Sequence, residues 1–316
     1  MKPFTEKYKP KKIQDLLLDD IIKSQFEIYV KNKKIPNLIL TGDTGLGKTV
    51  SLKCLIKNLY HKDDIEDMVF EIKSTEGIDI NKPLTVFCKN KIKEREGFCK
   101  NKLIVIDESD NLLEKTQILI SSFFSKYENL NFILTCNDLN DIIEAIQSRS
   151  LIYSFNKLNK EKIKEKMEFI CNNENIKYDD EGLEYLYNIS DNDIRKIINN
   201  IETFYYSKKN ITIENIEIFF CIPSKKNFIL LLNYVINNDI YNITILINDF
   251  NKEGYYSSYV ISYFINFIST NENIDNLLKN KIISFLTEKL FEINLLSINN
   301  YLQLSSCFFE LTNIIK

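Results

Sequence analysis

The residues best suited to chemistry form a glycine-rich turn. Residues 42–49 match the pattern G-x-x-x-x-G-K-[ST], which predicts a loop that binds phosphates. In such a loop, backbone N–H groups surround the phosphates at a helix N-terminus, where the helix dipole favours negative charge. We expect Lys48 to reach the β- and γ-phosphates of ATP and the Thr49 hydroxyl to bind Mg²⁺. The loop residues predicted to form this site are Gly42, Asp43, Thr44, Gly45, Leu46, Gly47, Lys48 and Thr49.

Two adjacent carboxylates supply the other half of the predicted site. They follow the apolar run at residues 103–106 in the sequence Asp107-Glu-Ser-Asp110. Asp107, at the end of this run, is predicted to hold Mg²⁺. Glu108 is placed to orient and deprotonate an attacking water as a general base. An apolar run that ends in acids is common, so the prediction of ATP chemistry depends on this pair and the loop together.

Short apolar runs alternate with helical patterns in the first half of the chain. Continuous apolar strands separated by helices are typical of a parallel sheet covered on both faces. The pattern favours an α/β layered domain that ends near Phe155. The predicted strands are 37–41, 68–72, 103–107 and 132–136, and the predicted helices are 47–60, 114–127 and 140–146.

Helical patterns alone continue from residue 156 onward, and Pro223 marks a boundary between two helical segments. We therefore predict a nucleotide-binding domain at 1–155, a small helical domain at 156–222 and an all-helical packing domain at 223–316. The predicted helices are 160–171, 180–189, 191–206, 213–220, 227–237, 239–250, 255–269, 275–290 and 297–315.

Composition limits the class of protein. With 316 residues, 44% hydrophobic and 27% charged, the sequence fits a soluble globular protein of two or three domains. Seven scattered cysteines and one histidine exclude zinc-ligand spacing and favour buried free thiols in a reducing compartment. Apolar runs such as residues 228–232 are too short for a membrane span. A net charge of −3 gives no global basic surface, so any DNA contact would be local.

Six short motifs, in order, resemble the replication factor C small subunits. The chain is similar to this AAA+ clamp-loader family from residue 4 to residue 200, and its helical tail suits the rest. The motifs that carry the resemblance are Glu6-Lys-Tyr-Lys-Pro10, the phosphate loop, Asp107-Glu-Ser-Asp110, Cys136-Asn137, Gln147-Ser-Arg149-Ser150 and Asp193-Ile-Arg195-Lys196.

The resemblance implies a fold and roles for residues outside the phosphate loop. It implies an AAA+ domain followed by a helical lid domain and a C-terminal collar domain that forms the oligomer. Asn137 would be the sensor-1 residue that contacts the γ-phosphate or the water. Arg149 would project in trans into the ATP site of a neighbouring subunit, and Arg195, the sensor-2 residue, would report nucleotide across the domain cleft. Tyr8, Lys9 and Pro10 would lie beside the adenine.

The function implied by the resemblance is that of an ATPase subunit of a hetero-pentameric clamp loader. ATP would tighten the subunits around primer–template DNA and hold a sliding clamp open, and hydrolysis would release the loaded clamp. The location would be intracellular at the site of DNA replication, in the nucleus, or in the cytoplasm if viral. The alternatives are a structural subunit that binds ATP, hydrolyses little and donates Arg149, and another DNA-processing AAA+ motor.

Some positions depart from the family pattern. Ser150 replaces a cysteine, and acids stand at Glu76 and Asp141 where relatives carry basic residues that face DNA. Acids repel phosphates, so we expect weaker DNA contacts, with Lys82 as one remaining basic contact. We expect the clamp contact between residues 84 and 98, where an apolar patch of Leu84, Val86 and Phe87 competes with an ordinary buried face.

Overall fold

The computed structural model describes residues 2–73, 81–90, 95–127, 129–156, 158–271, 274–296 and 300–315. The chain divides into two compact units, Met1–Ile211 and Thr212–Lys316. The division of the chain into three domains at 155/156 and 222/223 remains a prediction. Across the described ranges, no helix combines the length and the apolar character that crossing a membrane requires.

A parallel sheet forms the centre of the first unit. Among the described residues it has five strands in the order β2-β3-β4-β1-β5, and each neighbouring pair is parallel. The strands are β1 (Leu38–Thr41), β2 (Val69–Lys73), β3 (Lys102–Asp107), β4 (Leu130–Cys136) and β5 (Leu151–Ser154). Four of these strands confirm the predicted apolar runs to within two residues at each end. The fifth, β5, was not predicted.

The helices of the first unit cover the sheet and continue beyond it. They are α1 (Phe4–Lys7), α2 (Asp20–Asn32), α3 (Lys48–Leu59), α4 (Ile65–Met68), α5 (Asn81–Lys89), α6 (Glu114–Lys126), α7 (Glu144–Gln147), α8 (Lys160–Asn173), α9 (Asp180–Ile189) and α10 (Ile194–Ser207). Short 3-10 turns occur at Ile13–Asp15, Lys62–Asp64, Ser109–Asn111 and Leu139–Asp141.

Alternate residues of each strand enter different cores. In β1, Leu38 and Leu40 join the cluster that contains α2 and α3, whereas Ile39 joins the cluster that contains α6. Successive side chains of a strand point to opposite faces of the sheet. A sheet that buries both faces needs apolar residues at every position, which explains the continuous apolar runs in the sequence.

Asparagine and aspartate begin the helices that follow the sheet. Asn159, Asp179 and Asp193 each accept a hydrogen bond from a backbone N–H in the first turn of α8, α9 and α10. Such caps satisfy N–H groups that have no partner inside the helix. An isolated parallel bridge between Tyr178 and Ile211 joins the two ends of the segment that contains α9 and α10.

The second unit is helical throughout its described residues. Its helices are α11 (Ile213–Phe219), α12 (Lys225–Ile236), α13 (Ile240–Lys252), α14 (Ser257–Thr270), α15 (Asn276–Leu296) and α16 (Tyr301–Ile315). One hydrophobic core joins α12 to α16, with Phe264 and Phe308 fully buried and their rings edge to face at 5.3 Å between centroids. Aromatic pairs prefer this edge-to-face arrangement to a face-to-face stack.

One predicted helix is wrong. The segment 140–146 contains the 3-10 turn Leu139–Asp141 and the single turn α7 instead of one continuous helix. The side chain of Gln117 explains the break, because it takes over backbone groups that a helix would pair internally. Its amide donates to the carbonyl of Asp141 at 2.9 Å, and its oxygen accepts from the N–H of Ile143 at 2.9 Å.

The cysteines are free thiols, as predicted. Cys54, Cys99, Cys136, Cys171 and Cys307 are buried, Cys88 is half-buried, and Cys221 is exposed. Burial raises the pKa of the Cys54, Cys136, Cys171 and Cys307 thiols.

Candidate active site

One pocket of the first unit brings together most of the predicted site residues. Its wall runs from the N-terminal segment, past the glycine-rich loop and the ends of β3 and β4, to α8 and α10. The lining residues are Thr5, Tyr8, Lys9, Pro10, Asp15, Leu16, Leu17, Thr44, Gly45, Leu46, Gly47, Lys48, Thr49, Val50, Ser51, Asp107, Glu108, Thr135, Cys136, Asn137, Lys166, Ile194, Arg195 and Ile198. Gly42 and Asp43 of the loop do not line it but contact Lys48 through their carbonyls.

The loop joins β1 to the first residue of α3. Gly45 and Gly47 have φ angles of 80° and 89°, in the left-handed region that residues with a Cβ seldom adopt. Gly47 directly precedes the first helical residue, Lys48, so the turn places the N-terminus of α3 at the pocket. The N-terminus of a helix and the N–H groups of such a turn attract anions.

Lys48 lies beneath the loop with only 9% of its surface exposed. Its ammonium donates hydrogen bonds to the carbonyl of Gly42, to the carbonyl of Asp43 at 2.8 Å and to Oδ1 of Asn137 at 3.0 Å. Burial lowers the pKa of Lys48, and the neighbouring acids Asp110, Asp43 and Asp107 act in the opposite direction. A buried cation is thus held where the loop would receive the phosphates.

Asp107 connects the loop to the end of β3. Its Oδ1 accepts hydrogen bonds from Thr49 Oγ1 at 3.0 Å and from Thr135 Oγ1 at 2.6 Å. A hydroxyl beside a carboxylate is a donor set that suits Mg²⁺, which prefers oxygen ligands. The two residues predicted to bind the metal therefore lie in direct contact and fit that ion. Thr135 was not predicted.

Glu108, which lines the pocket, adopts an unusual backbone conformation. Its φ is 55°, and its N–H donates to Thr135 Oγ1 at 2.9 Å. Ser109 donates from its hydroxyl to the carbonyl of Thr135 at 2.8 Å, so both residues are tied to β4. Left-handed conformations outside glycine cost energy and cluster at functional sites. The exposed carboxylate of Glu108 lines the pocket beside Asp107.

Asn137 follows β4 and is oriented by Asp110. Oδ2 of Asp110 accepts from the backbone N–H of Asn137 at 3.1 Å and from its side-chain amide at 2.9 Å. This arrangement turns the amide oxygen of Asn137 toward Lys48. The positioning role of Asp110 was not predicted, although it is the last residue of the Asp107-Glu-Ser-Asp110 motif.

The N-terminal segment forms the opposite end of the pocket. Tyr8, Lys9 and Pro10 all line it, as do apolar side chains of Leu16 and Leu17. The Tyr8 hydroxyl donates to Oε1 of Glu174, the C-cap residue of α8, and burial together with this carboxylate raises the pKa of Tyr8. An apolar surface with an aromatic ring suits the base of a nucleotide.

Arg195 approaches the same pocket from α10. It is exposed and lines the wall beside Ile194. The cap of this helix, Asp193, packs directly against the glycine-rich loop, because a Cβ on Gly45 would lie 2.3 Å from Asp193 Oδ1. Gly45 is therefore required both by its φ angle and by this close approach, which brings α10 to the loop.

Arg149 lies outside this pocket. It is exposed, and its Nη1 donates to the carbonyl of Ser121 on α6 at 3.2 Å. Among the predicted catalytic residues, the structure brings Glu108, Asn137 and Arg195 together and keeps Arg149 apart.

The predicted apolar patch for a clamp is wrong in two of its three members. Leu84 is fully buried and Phe87 is 7% exposed, because both face the core beside Ile72 and Ile104. Val86, on the other side of α5, is 61% exposed. Lys82 and Asp141 are exposed, and Glu76 lies outside the described residues.

Two known proteins with similar sequences are named as replication factor C subunits. Residues 160–217 match a family model described as the RFC1-like, AAA+ ATPase lid domain. The putative replication factor C small subunit of Acanthamoeba polyphaga mimivirus is 31% identical over 280 residues, which are 87% of this chain and 86% of that protein. Replication factor C subunit 5 of Mus musculus is 29% identical over 241 residues, which are 75% of this chain and 70% of that protein.

A solved structure shares the fold at low sequence identity. The RuvB Holliday junction branch migration motor of Thermotoga maritima superposes with a TM-score of 0.55 over 72% of this chain and 79% of that one. The two sequences are 12% identical, so this likeness shows the AAA+ fold alone.

Proposed function

The chain belongs to the replication factor C small-subunit family of AAA+ proteins, and on this premise we propose that it is an ATP-hydrolysing subunit of a clamp loader. In this role it uses ATP binding and hydrolysis to load a sliding clamp onto primer–template DNA. It acts at the site of DNA replication, in the nucleus, or in the cytoplasm if viral. The other subunits of a hetero-pentamer are its direct partners.

One observation carries the proposal of ATP chemistry. A buried ammonium, a hydroxyl–carboxylate pair and a second carboxylate line one pocket at the carboxyl ends of parallel strands. Ligands of open α/β folds bind at that edge of the sheet. Lys48 would then contact the β- and γ-phosphates, and Thr49 and Asp107 would hold Mg²⁺. When bound, Mg²⁺ neutralises charge that develops on the phosphate oxygens.

Hydrolysis needs a water held in line with the γ-phosphate. We assign this task to Glu108, whose backbone is fixed by Thr135, with Asn137 contacting the water or the γ-phosphate. Arg195 contributes a cation from α10 in the same pocket. Arg149 serves the site of the neighbouring subunit, which agrees with its position on an exposed surface away from its own pocket.

The second unit supports assembly through an apolar surface. In its described residues many large apolar side chains remain exposed, and where such side chains adjoin one another they can form a surface that binds other proteins. They are Ile218, Ile229, Leu230, Ile236, Ile240, Tyr241, Ile245, Tyr256, Tyr259, Leu277, Phe291, Leu295, Tyr301, Leu302 and Ile314. For the sliding clamp, Val86 on α5 is the remaining candidate contact. For DNA, Lys82 supplies a local positive charge and Asp141 opposes it.

Replacing Lys48 tests the nucleotide site. We expect Lys48→Ala to weaken ATP binding strongly, because it removes the cation that faces the phosphates. Isothermal titration calorimetry of the purified full chain with MgATP measures the effect. Lys57→Ala provides the matched control, because Lys57 is an exposed lysine in the last turn of the same helix. Equal affinities for wild type and Lys48→Ala would refute the assignment.

Co-purification tests the partners. A tagged chain recovered from its native source and analysed by mass spectrometry should bring a larger AAA+ subunit and a sliding clamp. A stable homo-oligomer without these partners would argue for a different motor. ATP turnover of the assembled complex then separates an active ATPase from a structural subunit, because Glu108→Gln lowers turnover only in an active one.

A further inference from the structure

Lys166 is a basic residue of the candidate site that lies on α8. Its Nζ is 6.0 Å from the centre of the Tyr8 ring and 5.2 Å from the centre of the Phe169 ring. Lys48 instead donates hydrogen bonds to carbonyls of the glycine-rich loop and to Asn137. The two lysines therefore occupy different ends of one pocket. Lys48 belongs to the phosphate end, and Lys166 belongs to the end formed by Tyr8.

The lysines around Lys166 on α8 have ion-pair partners. Lys160 pairs with Glu184, Lys162 with Asp20 at 2.7 Å, and Lys164 with Asp180 at 3.2 Å. Lys166 forms no ion pair with the described residues and donates no hydrogen bond to them, although it is half-buried. Burial lowers its pKa, and Asp15 opposes this effect. Its ammonium, which lies over the rings of Tyr8 and Phe169, is therefore free to donate to an acceptor that binds in the pocket.

We propose that Lys166 donates a hydrogen bond to the adenosine end of bound ATP, through a ring nitrogen of the base or an oxygen of the ribose. This inference rests on the proposed ATP site. Both acceptors are neutral, so the contact needs a donor and no countercharge. With this hydrogen bond, α8 would contact the nucleotide directly, as is proposed for α10. Lys166 is then a binding residue for adenosine rather than for phosphate.

The test compares ATP with tripolyphosphate, which has the phosphates and lacks the adenosine. Calorimetric titration of the full chain with each ligand in Mg²⁺ gives the affinities of wild type, Lys166→Met and Lys166→Arg. We expect Lys166→Met to lose about tenfold in ATP affinity and to keep its affinity for tripolyphosphate. Lys166→Arg keeps a donor and should retain most of the ATP affinity. Lys164→Met is the matched control, because Lys164 lies outside the pocket on the same helix.

Each outcome decides the inference. Unchanged ATP affinity in Lys166→Met would overturn it, and so would an equal loss for ATP and tripolyphosphate, which would indicate a role in the fold or at the phosphates. Thermal unfolding of each variant shows whether the fold is intact. If Lys166→Met does not fold, the comparison of Lys166→Gln with Lys166→Arg takes its place. Failure of the wild type to bind ATP would instead refute the proposed function.

Discussion

At the scale of residues, Arg149 differs from the basic residues that line the candidate site. Lys48 and Arg195 line the pocket, whereas Arg149 donates to a carbonyl on α6. An arginine supplied in trans stabilises the charge of a phosphoryl-transfer transition state, with an effect of about 10³–10⁵ on rate. If Arg149 were only a surface residue, its contribution would be that of an exposed ion pair, about 0–1 kcal/mol. The catalytic role and the surface role therefore predict very different effects of removing Arg149.

We therefore expect Arg149→Ala to reduce ATP turnover of the assembled complex at the neighbouring site by about 10³ or more. The same variant should bind ATP at its own site with unchanged affinity, because its side chain lies outside that pocket. Steady-state hydrolysis and calorimetry measure the two quantities. Lys115→Ala removes an exposed charge from α6 and serves as the control. Loss of ATP binding by the variant itself would show that Arg149 acts within its own chain.

The sequence permits prediction of those site residues that are neighbours along the chain. The loop from Gly42 to Thr49 and the acids after β3 each form a continuous pattern with a known physical role. Thr135 could not be predicted in this way, because its contact with Asp107 exists only after β3 and β4 have paired. Lys166 could not be predicted for the same reason, since it approaches Tyr8 only when α8 packs against the N-terminal segment.

At the scale of elements, the start of α9 is fixed by a glycine inside a helix. The N–H of Gly182 donates to Asp179 Oδ1 at 2.6 Å. A Cβ at this position would lie 2.3 Å from that oxygen and 2.5 Å from the carbonyl oxygen of Ile211. The absent side chain thus allows α9 to lie directly against the backbone at Ile211.

We expect Gly182→Ala to lower the free energy of unfolding by about 1–3 kcal/mol, because the backbone at Ile211 must move. Helix propensity alone predicts the opposite sign, since alanine is favoured over glycine by about 1 kcal/mol. Denaturant unfolding of the full chain measures the difference. Glu181→Ala changes the adjacent exposed residue of the same helix and should alter stability little. A stabilised Gly182→Ala variant would contradict the packing described here.

Most strands and helices follow from the sequence because burial imposes a period on the apolar residues. β1 and β3 are apolar at nearly every position because both of their faces are covered. β5 was not predicted, because it is short and largely exposed and therefore has no continuous buried apolar run. The broken helix near Asp141 could not be foreseen, because Gln117 replaces its internal hydrogen bonds only in the folded chain.

At the scale of the whole molecule, the nucleotide pocket belongs to one unit. Its lining residues extend from Thr5 to Ile198, and the first unit ends at Ile211. We expect a chain that ends at Ile211 to bind ATP with the affinity of the full chain and to lose assembly with its partners. Calorimetry and size-exclusion chromatography measure these two properties. A folded but non-binding fragment, judged by circular dichroism, would show that the second unit contributes to the site.

The uneven burial of the cysteines offers a way to follow this molecule in solution. Thiol reagents attack the thiolate, so Cys136, which lines the pocket, should react slowly, because burial raises its pKa. Cys221 is exposed. A maleimide dye should therefore label the native protein chiefly at Cys221, in the second unit, without a single mutation. Fluorescence from that position would then report the proposed assembly of this chain with its partners, with no label in the pocket.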